Sequence, residues 1–324
     1  MSGNGGLVTI FGGSGFVGRH TVSALARRGY RVRAGERRPD LAGHLQPMGV
    51  VGQIHPVQAN VRFPASVQAA VEGAEAVINT VAILAPSAKQ TFQAVHVEGS
   101  RTVAKAARAA GAKRFIHISA IGASRTSPSA YARTKAEGED AVLQEFPDAI
   151  IIRPSIVFGP EDEFFNRFAR LSLMSPFLPL IGGGRTKFQP VYVGDLATAI
   201  ANAVQDEGKP GTIYEVGGPE VFTFRRLLDL TQEYTGRKRA YLPLPFWLAR
   251  LQALLTAPLP NALRPITGDQ VKLLKADNVV SDAAKSEGRT LAGLGVPQAT
   301  AIASVVPAYL VRFQPRGQFA HYRA

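Results

Sequence analysis

Residues 7–18 contain the feature that most limits what this chain can fold into. A short apolar run, Leu7 to Phe11, ends abruptly in Gly12-Gly13-Ser14-Gly15-Phe16-Val17-Gly18, and a helical pattern begins at once. Read as G-x-x-G-x-x-G, Gly12 permits a tight turn and Gly15 lets backbone come close to a pyrophosphate. Gly18 lets helix and strand pack closely, with the helix N-terminus facing the phosphates. Glycines so placed between a buried strand and an amphipathic helix predict a dinucleotide-binding βαβ unit.

The chain beyond this turn keeps the same rhythm. Phe16 to Arg28 reads as a helix with Val17, Val22, Leu25 and Ala26 inward and Gly29 as its stop. Strands are predicted at Tyr30–Gly35, Ile54–Ala59, Ala76–Ile83, Arg114–Ser119 and Ala149–Arg153, with helices from about Phe92 to Ala110 and from Tyr131 to Gln144. Strands alternating with helices give an α/β fold, a doubly wound parallel Rossmann sheet. After Phe158 proline and glycine punctuate heavily, so a smaller, interleaved C-terminal subdomain is expected. The expected division is a nucleotide-binding core over 1–160, with elements returning at about 185–220, and a subdomain over 161–324.

The end of the second strand reads Glu36-Arg37-Arg38-Pro39. An acid here takes the ribose hydroxyls of NAD, whereas an arginine accommodates the 2′-phosphate of NADP. Both residue types are present. Arg37 and Arg38 favour NADPH, provided Glu36 points away; NADH is the alternative.

Composition excludes several classes. With no cysteine, the chain alone can hold no disulfide, thiolate zinc site or iron–sulfur cluster. His20, His44, His55, His117 and His321 lack metal-ligand spacing, so no metal is expected, and Glu161-Asp162-Glu163 reads as a turn. The net charge of +13 favours anionic partners, but no RNA-binding signature or zinc-finger spacing supports nucleic acid. The N-terminus has no basic n-region, and no apolar window approaches the length of a membrane span, which predicts a chain kept in the cytoplasm.

With the glycine turn, three further strings carry a resemblance: Tyr131-Ala-Arg-Thr-Lys135, Arg153-Pro-Ser-Ile-Val-Phe-Gly159 and Pro190-Val-Tyr-Val-Gly-Asp195. Over roughly residues 6–235 the chain resembles the extended and atypical branches of the short-chain dehydrogenase/reductase superfamily. The resemblance implies that Tyr131 is the general acid position and that Lys135, one turn on, holds the nicotinamide ribose. It implies cofactor contacts at Gly12, Ser14, Gly15, Phe16, Val17, Gly18, Arg37, Arg38, Asn60, Val61, Thr80, Val81, Ala82, Ser119, Tyr131, Lys135, Pro154 and Ile156. Two positions depart from the pattern. Ala120 stands where the catalytic serine is expected, with Ser119 one residue early, and His96 stands at the asparagine. A chain that keeps its cofactor grip and has lost its chemistry is the expectation; a one-residue shift in register would restore Ser119.

More narrowly, Val77 to Leu84, Lys113 to Ser119, Tyr131 to Glu139, Phe146 to Pro154, Phe158-Gly-Pro-Glu-Asp162 and Gln189 to Val193 are together similar to the nucleotide-binding accessory subunits of respiratory complex I. That likeness implies a tightly held NADPH, no turnover of its own, other complex I subunits as partners, and a peripheral place on the cytoplasmic side of the membrane near the quinone region. The alternatives are a stand-alone NADP-dependent reductase or epimerase and a nucleotide-binding redox sensor. Residues 240–265 bear on the choice. Within this Leu/Pro-rich stretch the apolar segment Phe246–Thr256 holds the sole tryptophan, Trp247, and Arg237, Lys238, Arg239 and Arg264 flank that segment. It reads either as an interfacial face toward a membrane or partner, or as a core helix with a basic rim.

Overall fold

The structure is a computed structural model that describes residues 5–256 and 267–315, apart from the side chain of Leu255. Residues 257–265 of the Leu/Pro stretch, Arg264 included, and His321 lie outside the described residues.

The first strands are β1 (Gly5–Phe11), β2 (Tyr30–Glu36), β3 (Ile54–Gln58), β4 (Ala76–Asn79), β5 (Arg114–Ile118) and β6 (Ile150–Pro154). The rest are β7 (Val157–Phe158), β8 (Phe177–Ile181), β9 (Lys187–Phe188), β10 (Val191–Tyr192), β11 (Ile213–Val216), β12 (Phe222–Thr223) and β13 (Ala240–Leu244). The helices begin with α1 (Phe16–Arg27), α2 (Pro64–Val71), α3 (Glu98–Ala109), α4 (Ala130–Glu145), α5 (Phe165–Met174) and α6 (Val193–Val204). They continue with α7 (Phe224–Thr235), α8 (Phe246–Leu255), α9 (Gly268–Leu273), α10 (Asp282–Ser286) and α11 (Ile302–Leu310).

Residues divide into two compact units, the first made of 1–154, 193–216 and 281–297. Its seven strands run in the order β3-β2-β1-β4-β5-β6-β11, every pair parallel. This is the doubly wound Rossmann arrangement, with the order reversing between β1 and β4, where such sheets bind their ligands. Isoleucine and valine fill the central strands because a parallel strand is covered on both faces. Helix α1 buries Gly18, Thr21, Val22, Leu25 and Ala26. Beneath α2, α3 and α4 lies a core of Phe11, Val77, Val103, Phe115, Val142 and Phe146.

Two elements differ from the periodicity. Strand β4 stops at Asn79, not at Ile83, because the Asn79 carboxamide oxygen accepts the N–H of Val81 and the Thr80 N–H turns back to Phe11. The helix expected from Phe92 opens with a π-helical turn over Gln93–Val97 before α3 begins.

The second unit comprises 155–192, 217–280 and 298–324. Its core is aromatic, with Phe158, Phe165, Phe188, Phe224 and Phe313 packed among Leu227, Leu228 and Val306. Asp162, from the acidic triplet, is buried here. It accepts N–H bonds from Phe164 and Asn166, at 3.0 Å each, and the hydroxyl of Tyr309. The triplet is a turn, and Asp162 organises it.

Candidate functional site

The glycine turn is shaped for a phosphate. Gly12 has φ +79°, a left-handed backbone that a side chain would strain, and its N–H bonds to Gly35 O. A Cβ on Gly18 would stand 2.0 Å from the Gly12 carbonyl, so only hydrogen fits where α1 meets the turn. Ser14 and Gly15 form the crest, and Phe16 and Val17 open α1. Beside the turn, the Thr80 hydroxyl donates to Phe11 O at 2.8 Å, which brings the Thr80-Val81-Ala82 loop against Gly12. The open glycine crest, the helix N-terminus and this loop together fit a pyrophosphate.

At the end of β2 the charged residues separate. Glu36 is nearly buried, and its carboxylate accepts the N–H and the hydroxyl of Ser14. The Arg37 guanidinium donates to Gln90 Oε1 at 2.6 Å and lines a cavity of about 270 Å³ with Gln58, Asn60, Phe63 and Ser66. Arg38 turns outward, two-thirds exposed, and pairs with Asp40 at 2.6 Å. Arg62, which no motif in the sequence marks, lies over the Phe63 ring at 5.7 Å and donates to Lys89 O. Val61 is buried in the sheet core, beneath Gly99.

The ends of β5 and β6 carry the remaining groups. The Ser119 hydroxyl donates to Glu139, which also accepts Arg153 Nε at 2.9 Å and Nη2 at 2.5 Å. Ala120 follows with no hydroxyl. Helix α4 starts at the Ser129 cap and presents Tyr131 and Lys135 one turn apart. Lys135 is 1% exposed, and its ammonium donates to Ile118 O at 2.7 Å. Burial pulls its pKa down to about 8 against the opposing pull of Glu139, and burial pushes the Tyr131 phenol up to about 12. His96 lies on the π-helical turn, buried, with its ring edge-on to Tyr131 at 5.4 Å. Pro154 ends β6, whereas Ile156 belongs to the second unit, where its N–H bonds to the Asn278 side chain.

Helix α8, in the second unit, turns Ala249 and Ala253 inward and leaves Trp247, Leu251 and Leu254 68%, 44% and 70% exposed. Spaced four and three residues apart, these form one apolar stripe. Of the flanking cations, Arg237 and Arg239 bond to the carbonyls of Phe313 and Ser172, while Lys238 and Arg250 are exposed. Among the described residues no helix is long and apolar enough to cross a membrane, and no cluster of metal-ligating side chains occurs.

Comparison with known proteins agrees with this geometry. The profile of the NAD dependent epimerase/dehydratase family matches residues 8–217. The chain is 37% identical over 290 residues to NADH dehydrogenase (ubiquinone) 1 alpha subcomplex subunit 9, mitochondrial, of Arabidopsis thaliana, covering 86% of this chain and 72% of that protein. The mouse protein of the same name is 37% identical over 259 residues, covering 78% and 68%. A ceramide reductase of Caulobacter vibrioides is 34% identical over 195 residues, 60% of each chain. Among solved structures, an NADPH-dependent quinone oxidoreductase from Escherichia coli, complexed with NADPH, superposes with a TM-score of 0.71 at 23% identity, covering 94% of this chain and 99% of that one. A fold of that order, a glycine turn at its switch point and a tyrosine–lysine helix beside it, matched along most of the sequence, place this chain in the NAD dependent epimerase/dehydratase family, in the branch it shares with subunit 9 of the complex I alpha subcomplex.

Proposed function

We propose that this chain is a nucleotide-holding accessory subunit of respiratory complex I, which binds NADPH without turning it over. One observation carries the reading: the nucleotide cradle is complete while the groups that would meet a substrate are missing or engaged. Ala120 has no hydroxyl, the Ser119 hydroxyl donates to Glu139, and His96 is buried and bonded on both ring nitrogens. A substrate oxygen would thus lack a donor contact of a kind worth about 2.7–4 kcal/mol in the transition state. A phenol held near 12 is also poorly matched to proton transfer at neutral pH.

A bound nicotinamide nucleotide would supply hydride chemistry; this chain's residues would hold it. The Gly12–Gly18 turn and the α1 N-terminus take the pyrophosphate, Arg37 the 2′-phosphate, and Lys135 the nicotinamide ribose. The inward-turned Glu36 supports NADPH over NADH, since its charge is bonded away from the Arg37 cavity. Relatives named as complex I subunits support the assembly. The α8 stripe, with Lys238 and Arg250 beside it, supports peripheral attachment to a partner or membrane surface; this reading puts that attachment on the cytoplasmic side.

Purification from detergent-solubilised membranes tests this. The chain should migrate within a large complex and release NADPH, identified by mass spectrometry, on denaturation. Migration alone, with reduction of a carbonyl substrate that Tyr131→Phe abolishes, would establish instead a stand-alone reductase. The retained Tyr131 and Lys135 and the resemblance to a protein named ceramide reductase favour that second reading.

A further inference from the structure

His96 spans two parts of the nucleotide site. Its Nε2 accepts the N–H of Ile83 at 3.1 Å, and Ile83 continues the Thr80–Ala82 loop. An accepting Nε2 leaves the ring proton on Nδ1, which lies 3.0 Å from the Thr134 hydroxyl and donates to it. Thr134 in turn donates to Ala130 O at 2.8 Å. It stands on α4 between Tyr131 and Lys135. The imidazole stacks on Phe92, with centroids 5.3 Å apart and planes 24° apart, and meets Tyr131 edge-on.

His96 sits on the π-helical turn. Such single turns are rare and occur frequently at functional sites. The backbone of this one lies directly on α4: a Cβ on Gly138 would stand 2.2 Å from His96 O. An asparagine at 96 ends at the depth of Nδ1, so it would meet Thr134 and fall short of Ile83. A glutamine reaches the depth of Nε2.

We infer that His96 is a positioning residue, fastening the Thr80–Ile83 loop to the Tyr131–Lys135 helix and so setting how long the nicotinamide nucleotide stays bound. The inference rests on the nucleotide-holding reading above. Burial, reinforced by the nearby Lys135 ammonium, holds the His96 pKa down to about 3, so the ring stays neutral and can accept and donate at once.

The test uses the intact protein loaded with NADPH and follows the fluorescence of bound nucleotide after dilution into excess NADP⁺. His96→Ala should raise the dissociation rate about tenfold, and His96→Gln, which keeps the Ile83 bond and loses the Thr134 bond, should recover part of that loss. His96→Asn should not, and hydrogen exchange at the Ile83 amide should quicken in His96→Asn and His96→Ala but not in His96→Gln. Should His96→Ala fail to fold, Thr134→Val removes the helix end of the bridge alone and should quicken release severalfold. Dissociation within twofold of the parent for every folded variant, or His96→Gln releasing nucleotide as fast as His96→Ala, overturns the inference. A parent protein that binds no nicotinamide nucleotide overturns the nucleotide-holding reading instead.

Discussion

Glu36 grips Ser14 twice, its carboxylate oxygens accepting the amide at 2.6 Å and the hydroxyl at 2.7 Å. The acid at the end of β2 thus braces the phosphate turn from within. Glu36→Ala should therefore weaken NADPH and NADH alike, by about tenfold, and change their ratio by less than threefold in equilibrium titrations. A variant that loses NADH while gaining NADPH would make Glu36 a ribose ligand.

Arg37 and Arg38 should part company. Arg37 faces the cavity beside Asn60, whereas Arg38 is paired with Asp40 in solvent. A charge-assisted bond to phosphate contributes about 1.5–3 kcal/mol. Arg37→Ala should thus cost NADPH at least tenfold in affinity and leave NADH nearly unchanged; Arg38→Ala should alter neither by more than about twofold. Equal losses from both variants would contradict the assignment.

Acid should destabilise this protein through two histidines. His96 and His117 are both buried, and burial first, then Lys135, lowers their pKa values, that of His96 to about 3. Unfolded histidine titrates near 6.5. The stability from keeping these rings neutral is therefore complete above about pH 6.5 and is lost progressively as pH falls from there, toward 3 for His96. At pH 5 the cost is about 2 kcal/mol for His96, and His117 adds to it in the same direction. Urea unfolding at pH 7 and pH 5 measures it, and the difference should shrink by about 2 kcal/mol in His96→Gln. An unfolding free energy equal at the two pH values would refute the account.

The Glu139 cluster should behave as structure. Glu139 is buried against Arg153, which also lies 3.7 Å from Glu215. Glu139→Gln removes the nearer partner of a buried charge and should lower stability by about 3 kcal/mol, the lower end for such losses because Glu215 remains. Chemical denaturation reads this directly; a change below 1 kcal/mol would show the pair to be inconsequential.

The α8 stripe should govern attachment. Burying Trp247, Leu251 and Leu254 contributes roughly 1.5–3 kcal/mol each, and Lys238 and Arg250 about 1 kcal/mol apiece near an anionic surface. Salt screens only the second part, so high salt should release the protein poorly and salt with mild detergent should release it well. Replacing Trp247 and Leu251 together by serine should lower retention in membranes without emptying the nucleotide site. Unfolding of that variant, or equal loss of nucleotide, would make the helix core.

The features legible in the sequence are local. The glycine turn, the strand–helix alternation and the Tyr131–Lys135 spacing announce themselves within windows shorter than an element. Partnerships across the sheet do not: whether Ser119 is free depends on Glu139, twenty residues on, and Glu36 is decided by Ser14, twenty-two residues back. Asp162 looks like one of three acids in a turn because Tyr309, which fixes it, is 147 residues away. The apolar character of α8 is plain from composition. Its direction is not, because it depends on Ala249 and Ala253 being the side that packs.

The two units are threaded rather than joined. The chain passes from one to the other after residues 154, 192, 216, 280 and 297, and one edge strand of the sheet, β11, comes from Ile213–Val216, well after the other six. A polypeptide stopped near residue 160 would lack that strand and leave β6 as a raw edge able to recruit backbone from another chain. On a ribosome, the nucleotide half cannot be finished until nearly 300 residues have emerged. Premature termination would thus yield an adhesive sheet rather than a smaller working protein. Neither half can be lent to another gene by a single cut.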